Sequence, residues 1–196
     1  MSTSAPSMSG RIHILWRVGL ASLAGALAFL ATATFDQWYL MWVGLVPLLF
    51  VIRDRTPGRA FLYGWLAGFV ANAGGFYWIA GLLVRFGHMP LAVAMPLFWL
   101  LAAYQGLIIG LFAWLLTLVR RRAPTLPVTL LAPVLMTALE LCFPLVFPWY
   151  FAITQAWIRP VIQVADLAGP RGVTFLLVLV NGAFYDLLES RRARRP

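Results

Sequence analysis

The chain has 196 residues, of which 62% are hydrophobic and 11% charged, and its mean hydropathy is +0.87. Soluble domains are about 45–50% apolar, so this composition excludes an ordinary soluble protein and indicates a polytopic membrane protein. The single cysteine, Cys142, excludes an internal disulfide and any multi-cysteine metal or redox site. We therefore expect neither a metal nor another cofactor.

Apolar runs divide the chain into candidate membrane spans. A bilayer core of about 30 Å requires roughly 20 apolar residues per helix, so 196 residues can hold about six spans joined by short loops. We predict an all-α integral membrane protein, with a disordered tail at 1–10, a polytopic membrane domain at 11–190 and a basic tail at 191–196. The six runs cover residues 12–33, 37–52, 60–84, 90–119, 127–142 and 172–188.

The first run has two interpretations. Arg11 and Arg17 precede small residues with A-x-A-like sites, which is a pattern typical of a cleaved signal peptide. The five hydrophobic runs that follow favour an uncleaved first span instead.

The formal charge of +9 is carried by arginine, since all 15 basic residues are arginine. Cytoplasmic segments of membrane proteins are enriched in basic residues, so an alternating distribution reports topology. Placing both termini in the cytoplasm leaves Arg85, Arg159 and Arg171 outside and the other 12 inside. The arginines are thus topology signals next to phospholipid headgroups, and we expect no nucleic-acid partner. The inside set is Arg11, Arg17, Arg53, Arg55, Arg59, Arg120, Arg121, Arg122, Arg191, Arg192, Arg194 and Arg195.

Two of the runs have features that bear on helix packing. The third carries Gly64 and Gly68 four residues apart, then the pair Gly74–Gly75, and this spacing of small residues favours close helix packing in lipid. The fourth, about 45 Å long if straight, is too long for an upright span. It is expected to tilt, bend at Pro96 or project beyond the bilayer.

Polar residues inside the runs are few. Glu140 ends the fifth run, where it either pairs with one of the outer arginines or lines a polar cavity open to the outer leaflet. Asn72, Gln105 and Asn181 are more typical of hydrogen bonds between helices than of ligand contacts. Asp186 is expected to be solvated at the inner interface.

The stretch LCFPLVFPWYFAITQ, residues 141–155, combines aromatic residues with two prolines that break a helix. It is either an aromatic anchor at headgroup level or a re-entrant loop forming a wall beside an acyl-chain entrance. Within it, Cys142 is expected to be a buried, inert thiol; a catalytic thiolate would need a base, for which His88 is the extracytoplasmic candidate.

Four stretches occur in a fixed order: GGFYWIAGLLVRFGHMP at 74–90, LLAAYQGLIIGLFAWLL at 100–116, APVLMTALELCFPLVFPWYFAITQ at 132–155 and QVADLAGPRGVTFLLVLVNGAFYDLL at 163–188. As an ordered set they resemble the N-terminal membrane domain of the apolipoprotein N-acyltransferase family. The resemblance implies a multi-pass protein of the bacterial inner membrane. It also implies partners that are phospholipids and bacterial lipoproteins.

Carried over by position, the family's glutamate corresponds to Glu140, its proline-tryptophan to Pro148 and Trp149, and its glutamine to Gln155. Its later residues fall on Asp166, Gly169, Phe175 and Asn181. The sequence departs from the family in the loop after Glu140, which lacks the family's arginine and glycines. The candidate lipid-binding residues are therefore Tyr104, His88, Glu140, Pro148, Trp149, Gln155 and Asn181.

The family resemblance also implies an extracytoplasmic nitrilase-like domain with a Glu-Lys-Cys triad, which passes an acyl group through a thioester. No lysine is present in the 196 residues, so the triad cannot form within them and we expect the chain to be inactive alone. Three interpretations stay open. The chain is the membrane half of a split acyltransferase with a separate nitrilase-like subunit, a stand-alone lipid- or lipoprotein-binding protein, or a truncated gene product.

Overall fold

The computed structural model describes residues 8–193, with side chains from residue 12 onward. Within this range the secondary structure is helical and contains no strand, which confirms the all-α class. Two 3-10 helices cover Trp38–Trp42 and Phe151–Gln155. The α-helices are α1 (Met8–Leu30), α2 (Val46–Ile52), α3 (Pro57–Gly75), α4 (Trp78–Arg85), α5 (Leu91–Arg122), α6 (Val128–Cys142) and α7 (Arg159–Ala193).

Three of these helices, α1, α5 and α7, are long and apolar enough to cross a membrane. A fourth span results if α3 and α4, which are bent by 53° relative to each other, are counted together. The segment Trp38–Ile52 and α6 are apolar but shorter. The described range thus contains three or four candidate membrane-spanning helices, whereas six spans with both termini in the cytoplasm stay a prediction.

The expected terminal tails lie partly outside the described residues. Of the tail predicted at 1–10, residues 1–7 lie outside, and α1 begins at Met8. Of the basic tail predicted at 191–196, residues 194–196 lie outside, and α7 ends at Ala193.

The third predicted run, 60–84, is formed by two helices, α3 and α4, that are joined at a bend. Helix α3 ends at Gly75, where the Phe76 N–H donates to the Asn72 carbonyl, and α4 begins at Trp78. The break follows the Gly74–Gly75 pair directly, and glycine is a weak helix former. By contrast, α5 is continuous through Pro96, and its 32 residues span about 48 Å.

Helices α3 and α5 pack with their backbones in contact. A Cβ placed on Gly68 would lie 2.5 Å from the Gly106 carbonyl oxygen, and one on Gly106 would lie 2.7 Å from the Phe69 nitrogen. Gly64 faces α5 in the same way, one helical turn away. The predicted packing role of these glycines is confirmed, since any larger residue would separate the two helices.

The arginine-bearing segments meet at one end of the bundle, here called the arginine-rich end. Glu189 of α7 pairs with Arg53 at 3.0 Å and with Arg120 at 3.7 Å. Arg121 donates to the Arg55 carbonyl at 3.1 Å, and Arg17 of α1 donates to the Val51 carbonyl at 2.9 Å. Segments that the arginine count assigns to one side of the membrane are therefore neighbours in the fold.

Asp186 of α7 accepts hydrogen bonds from the first residues of α6, which corrects the expectation of a solvated acid. Its carboxylate accepts from the Val128 N–H at 3.3 Å, the Thr129 N–H at 2.8 Å and the Thr129 hydroxyl at 2.7 Å. Free N–H groups at a helix N-terminus favour a negative charge. Asp186 thus fixes the start of α6, and the segment after Cys142 lies at the opposite end of the bundle.

Candidate functional site

The segment 143–158 folds over the end of the bundle and is held there by side chains of α5. Gln105, 1% exposed, accepts from the Val146 N–H at 3.0 Å and donates to the Phe147 carbonyl at 2.9 Å. The Tyr104 hydroxyl donates to the Pro144 carbonyl at 2.7 Å. Proline cannot contribute an N–H of its own, so these side chains supply hydrogen bonds that regular structure would otherwise provide.

Glu140 joins three elements below this segment. The side chain is 3% exposed, and its Oε1 accepts from the Phe151 N–H and from the Thr174 hydroxyl, each at 3.2 Å. The Thr174 hydroxyl in turn accepts from the Ala152 N–H at 3.2 Å. The glutamate therefore ties α6 to the 3-10 helix Phe151–Gln155 and to α7.

The second oxygen of Glu140 has no partner in the described part of the chain. Its Oε2 is buried without a hydrogen-bond donor, and none of the ion pairs among residues 12–193 includes it. Of the two interpretations of this acid, pairing with Arg85, Arg159 or Arg171 is thus not observed.

Glu140 lines a small inner cavity of about 30 Å³, together with Asn72, Gln105, Met136, Trp149 and Thr154. A single buried water needs about 10–15 Å³ of such space, so this cavity suits one or two water-sized molecules and excludes a headgroup. Asn72 donates to the Gly68 carbonyl at 2.7 Å and keeps its amide oxygen available. In the observed conformation the inner cavity is a mainly apolar space beneath the loop, lined by four polar side chains.

Trp149 closes the inner cavity by packing against the end of α3. Its ring centroid lies 4.6 Å from that of Phe76, and a Cβ on Gly75 would overlap the indole. A Cβ on Gly74 would overlap Phe29 of α1 in the same way. The paired glycines thus make room for one aromatic ring each.

A larger apolar groove lies on the outer side of the same loop, between the 3-10 helix Phe151–Gln155 and α7. This outer groove measures about 360 Å³, within the range of about 300–1,000 Å³ typical of ligand pockets. At the groove α7 is broken at Gly169, whose φ of 67° is accessible to glycine at little cost. The lining residues include Pro148, Tyr150, Ala152, Ile153, Gln155, Ala156, Ile162 and Pro170.

Polar groups are sparse around the outer groove and have defined positions. Gln155, 1% exposed, donates to the Trp38 carbonyl and to the Thr154 hydroxyl, each at 3.0 Å. Its Oε1 is buried without a donor from residues 12–193. Arg171 lies 5.2 Å above the Tyr150 ring and donates to its hydroxyl at 3.4 Å, which places a cation beside the groove.

The structure brings five of the seven predicted site residues to this end. Glu140 and Trp149 line the inner cavity, Pro148 and Gln155 line the outer groove, and Tyr104 holds the loop between them.

The other two predicted residues lie elsewhere. His88 is exposed in the turn between α4 and α5, with φ of 49°, and lines neither space. Asn181 is fully buried, accepts from the Leu45 N–H, and donates to the Met41 and Leu177 carbonyls, all at 2.8 Å. Its bonds fasten the segment 38–52 to α7. Thr174 also belongs to the site through its bonds to Glu140 and Ala152, but a threonine in an apolar helix carries no sequence pattern that indicates such a role.

Cys142 is exposed, which corrects the expectation of a buried thiol. Residues two apart in an α-helix point about 200° apart, so turning Glu140 inward leaves Cys142 on the outer face. None of the hydrogen bonds in residues 12–193 joins Cys142 or Glu140 to His88.

Comparison with known proteins gives one consistent family. The sequence model of the apolipoprotein N-acyltransferase N-terminal domain matches residues 24–183. The chain is 30% identical over 181 residues to an apolipoprotein N-acyltransferase of Geobacter metallireducens, which covers 90% of this chain and 34% of that protein. It is 31% identical over 199 residues to the protein of the same name in Chromobacterium violaceum, covering 98% of this chain and 38% of that protein.

A third relative, the apolipoprotein N-acyltransferase of Photobacterium profundum, is 31% identical over 172 residues, covering 86% of this chain and 33% of that protein. The chain thus spans about a third of the length of the curated relatives it matches. The match includes the loop 143–158, both cavities and most of the helices that hold them. The chain therefore belongs to the family defined by the apolipoprotein N-acyltransferase N-terminal domain.

Proposed function

We propose that the chain is the membrane-embedded part of an apolipoprotein N-acyltransferase-like system of the bacterial inner membrane. It holds a phospholipid acyl chain and a bacterial lipoprotein beside a separate nitrilase-like subunit. That subunit carries the Glu-Lys-Cys triad and transfers the acyl group to the amine of the lipoprotein's N-terminal cysteine. The family of the chain supports this role, and the 196 residues contain no lysine for such a triad.

The observation that carries the proposal is the outer groove. Its walls are almost wholly apolar, it opens where α7 is broken, and Arg171 lies beside it. An acyl chain fits the apolar walls, and the guanidinium of Arg171 suits the phosphate of the same lipid.

The outer groove contributes more to positioning the phospholipid than to binding it tightly. An acyl chain that leaves the bilayer for an apolar groove exchanges one hydrocarbon environment for another, so the hydrophobic gain is small. Holding the ester bond of the lipid in one place instead converts an encounter between diffusing partners into a reaction between fixed ones. The loop clamp by Gln105 and Tyr104 keeps this wall in place.

A photoactivatable phospholipid tests the groove. In proteoliposomes, a diazirine near the end of the acyl chain is expected to label peptides from 148–173. Ala156→Phe fills the groove and is expected to abolish most of this labelling, whereas Ala92→Phe, on an exposed face of α5, leaves it unchanged. Equal labelling in both variants would count against an acyl chain in the outer groove.

Transfer itself is tested in native membranes. The affinity-purified chain is expected to bring down a protein with a Glu-Lys-Cys triad, and lipoprotein N-acylation, read by mass spectrometry, is expected to fall in Trp149→Ala. The matched control is Trp157→Ala, because Trp157 is 74% exposed at the same end. Unchanged acylation in Trp149→Ala and Glu140→Ala would refute the split-enzyme role. Bound phospholipid without a partner would instead support a stand-alone binding protein.

A further inference from the structure

A second pocket, unrelated to the outer groove, lies at the arginine-rich end between α2, α5, α6 and α7. This basic pocket measures about 360 Å³, and its walls include Arg53, Arg55, Arg120 and Arg121. The four arginines come from two segments that are far apart in sequence, the α2–α3 turn and the end of α5. The fold therefore gathers them around a single space.

Carboxylates neutralise part of this charge. Glu189 pairs with Arg53 at 3.0 Å and with Arg120 at 3.7 Å, and Asp54 lies 3.9 Å from Arg53 at the exposed rim. Four arginines and two carboxylates line the pocket, which leaves a formal charge of +2. Arg55 and Arg121 form none of the ion pairs found within residues 12–193.

Several donors in the basic pocket are buried without an acceptor in the described part of the protein. They are the Nε of Arg55, the Nε of Arg120 and the hydroxyl of Thr117. Thr117 is only 6% exposed. Buried donors are paired in the great majority of cases, and leaving them unpaired is costly. Their common need is a ligand rich in acceptor oxygens.

The excess of donors and the positive charge both point to an oxyanion. Guanidinium groups match phosphate oxygens with parallel hydrogen bonds, and a threonine hydroxyl adds a further donor. A topology signal alone requires no such pocket, since exposed arginines such as Arg59 and Arg122 serve that purpose equally well.

We propose that the basic pocket is a binding site for a phosphate group, presented either by the headgroup of an anionic phospholipid or by free phosphate. Basic pockets between membrane helices bind anionic headgroups by the same chemistry. The bound phosphate bridges the α2–α3 turn and α5, and Glu189 holds the neighbouring guanidinium groups in position. This site is independent of the proposed acyl transfer, so either proposal can fail without the other.

Ligand-dependent thermal stability of the purified protein in a neutral detergent tests the site. The probes are inorganic phosphate, dihexanoyl phosphatidylglycerol and, as a zwitterionic control, dihexanoyl phosphatidylcholine, all at one ionic strength because salt screens charge. We expect a saturable rise in Tm with phosphatidylglycerol or phosphate that exceeds the rise with phosphatidylcholine. Saturation by phosphate assigns the site to the free ion, and saturation by phosphatidylglycerol alone assigns it to the lipid.

Matched variants separate the pocket from the general charge of this end. Arg121→Gln and Thr117→Val are expected to raise the Kd about tenfold, since a hydrogen bond to a charged group is lost in each. Arg122→Gln removes the same charge from an exposed neighbour outside the pocket and is expected to change the Kd less than about twofold. Arg55→Gln and Arg59→Gln form a second such pair.

Two results would overturn the proposal. One is the absence of a saturable shift with either phosphate-bearing probe in the unmodified protein. The other is equal weakening by the pocket variants and their controls, which would indicate diffuse attraction. Because Arg121 is exposed, its variant is expected to fold and to keep the experiment decisive.

Discussion

Trp149 depends on the absence of a side chain at Gly75, and Gly75→Ala perturbs that contact alone. The added Cβ would lie within 3.0 Å of three carbons of the indole. Overpacking of this kind costs about 1–3 kcal/mol. Alanine also gains up to about 1 kcal/mol over glycine within a helix, which offsets part of that cost.

Gly81→Ala is the matched control, because a Cβ at Gly81 meets no atom within 4 Å. This variant therefore has only the gain in helix stability of alanine over glycine. The two variants are therefore expected to differ by about 1–3 kcal/mol in the free energy of unfolding. Trp149→Leu removes the ring that the new Cβ would strike. In that background, Gly75→Ala is expected to cost nothing further, which gives a coupling energy of similar size.

The assay is unfolding in mixed micelles with increasing sodium dodecyl sulfate, followed by circular dichroism and extrapolated to zero denaturant. Each of the four proteins in the cycle is measured in the same lipid and detergent. If Gly75→Ala and Gly81→Ala unfold alike, or if the effects of Gly75→Ala and Trp149→Leu simply add, the packing of Trp149 on Gly75 is refuted.

Three further perturbations test the hydrogen bonds and the topology. Gln105→Leu removes both hydrogen bonds to the loop and is expected to lower the free energy of unfolding by about 1–3 kcal/mol. It is also expected to expose residues 143–150 to proteolysis, and unchanged cleavage would contradict the role of Gln105 in holding the loop. Asp186→Ala is expected to lower the free energy of unfolding by about 1–2 kcal/mol. Asp186→Asn is expected to lower it by less, because the amide oxygen can still cap α6, and equal losses in the two variants would argue against capping. Cys142 is expected to react with a membrane-impermeant maleimide that is added from the periplasmic side. In the double variant Cys142→Ser and Ser190→Cys, the new thiol is expected to react only with reagent added from the cytoplasmic side. Labelling of both from one side would refute the topology.

Hydropathy predicted most helix positions because lipid demands long apolar runs whatever the tertiary contacts are. The run 90–119 corresponds to α5 and the run 127–142 to α6 within about three residues. The break between Gly75 and Trp78 was not predicted, since glycine is a frequent residue within membrane helices. Only the aromatic rings packed against that pair distinguish this case, and those rings come from distant parts of the chain.

The sequence predicted most residues of the candidate site but not the hydrogen bonds that join them. Glu140 stood out as an acid in an apolar run, but its partners, Phe151 and Thr174, lie 11 and 34 residues away and one is a backbone group. The sequence carries no mark for such a bond. Asp186 illustrates the same limit, because its acceptor role depends on the start of a helix 57 residues earlier.

The backbone contact between α3 and α5 has an entropic consequence. The contact of Gly68 with Gly106 freezes no side-chain rotamers, so this part of the interface forms without the usual loss of side-chain conformational freedom. The two packed helices carry Gly75, against which Trp149 packs, and Gln105, which holds the loop. If the proposed acyl chain binds in the outer groove, these contacts are expected to reduce the entropy cost of ordering the loop wall.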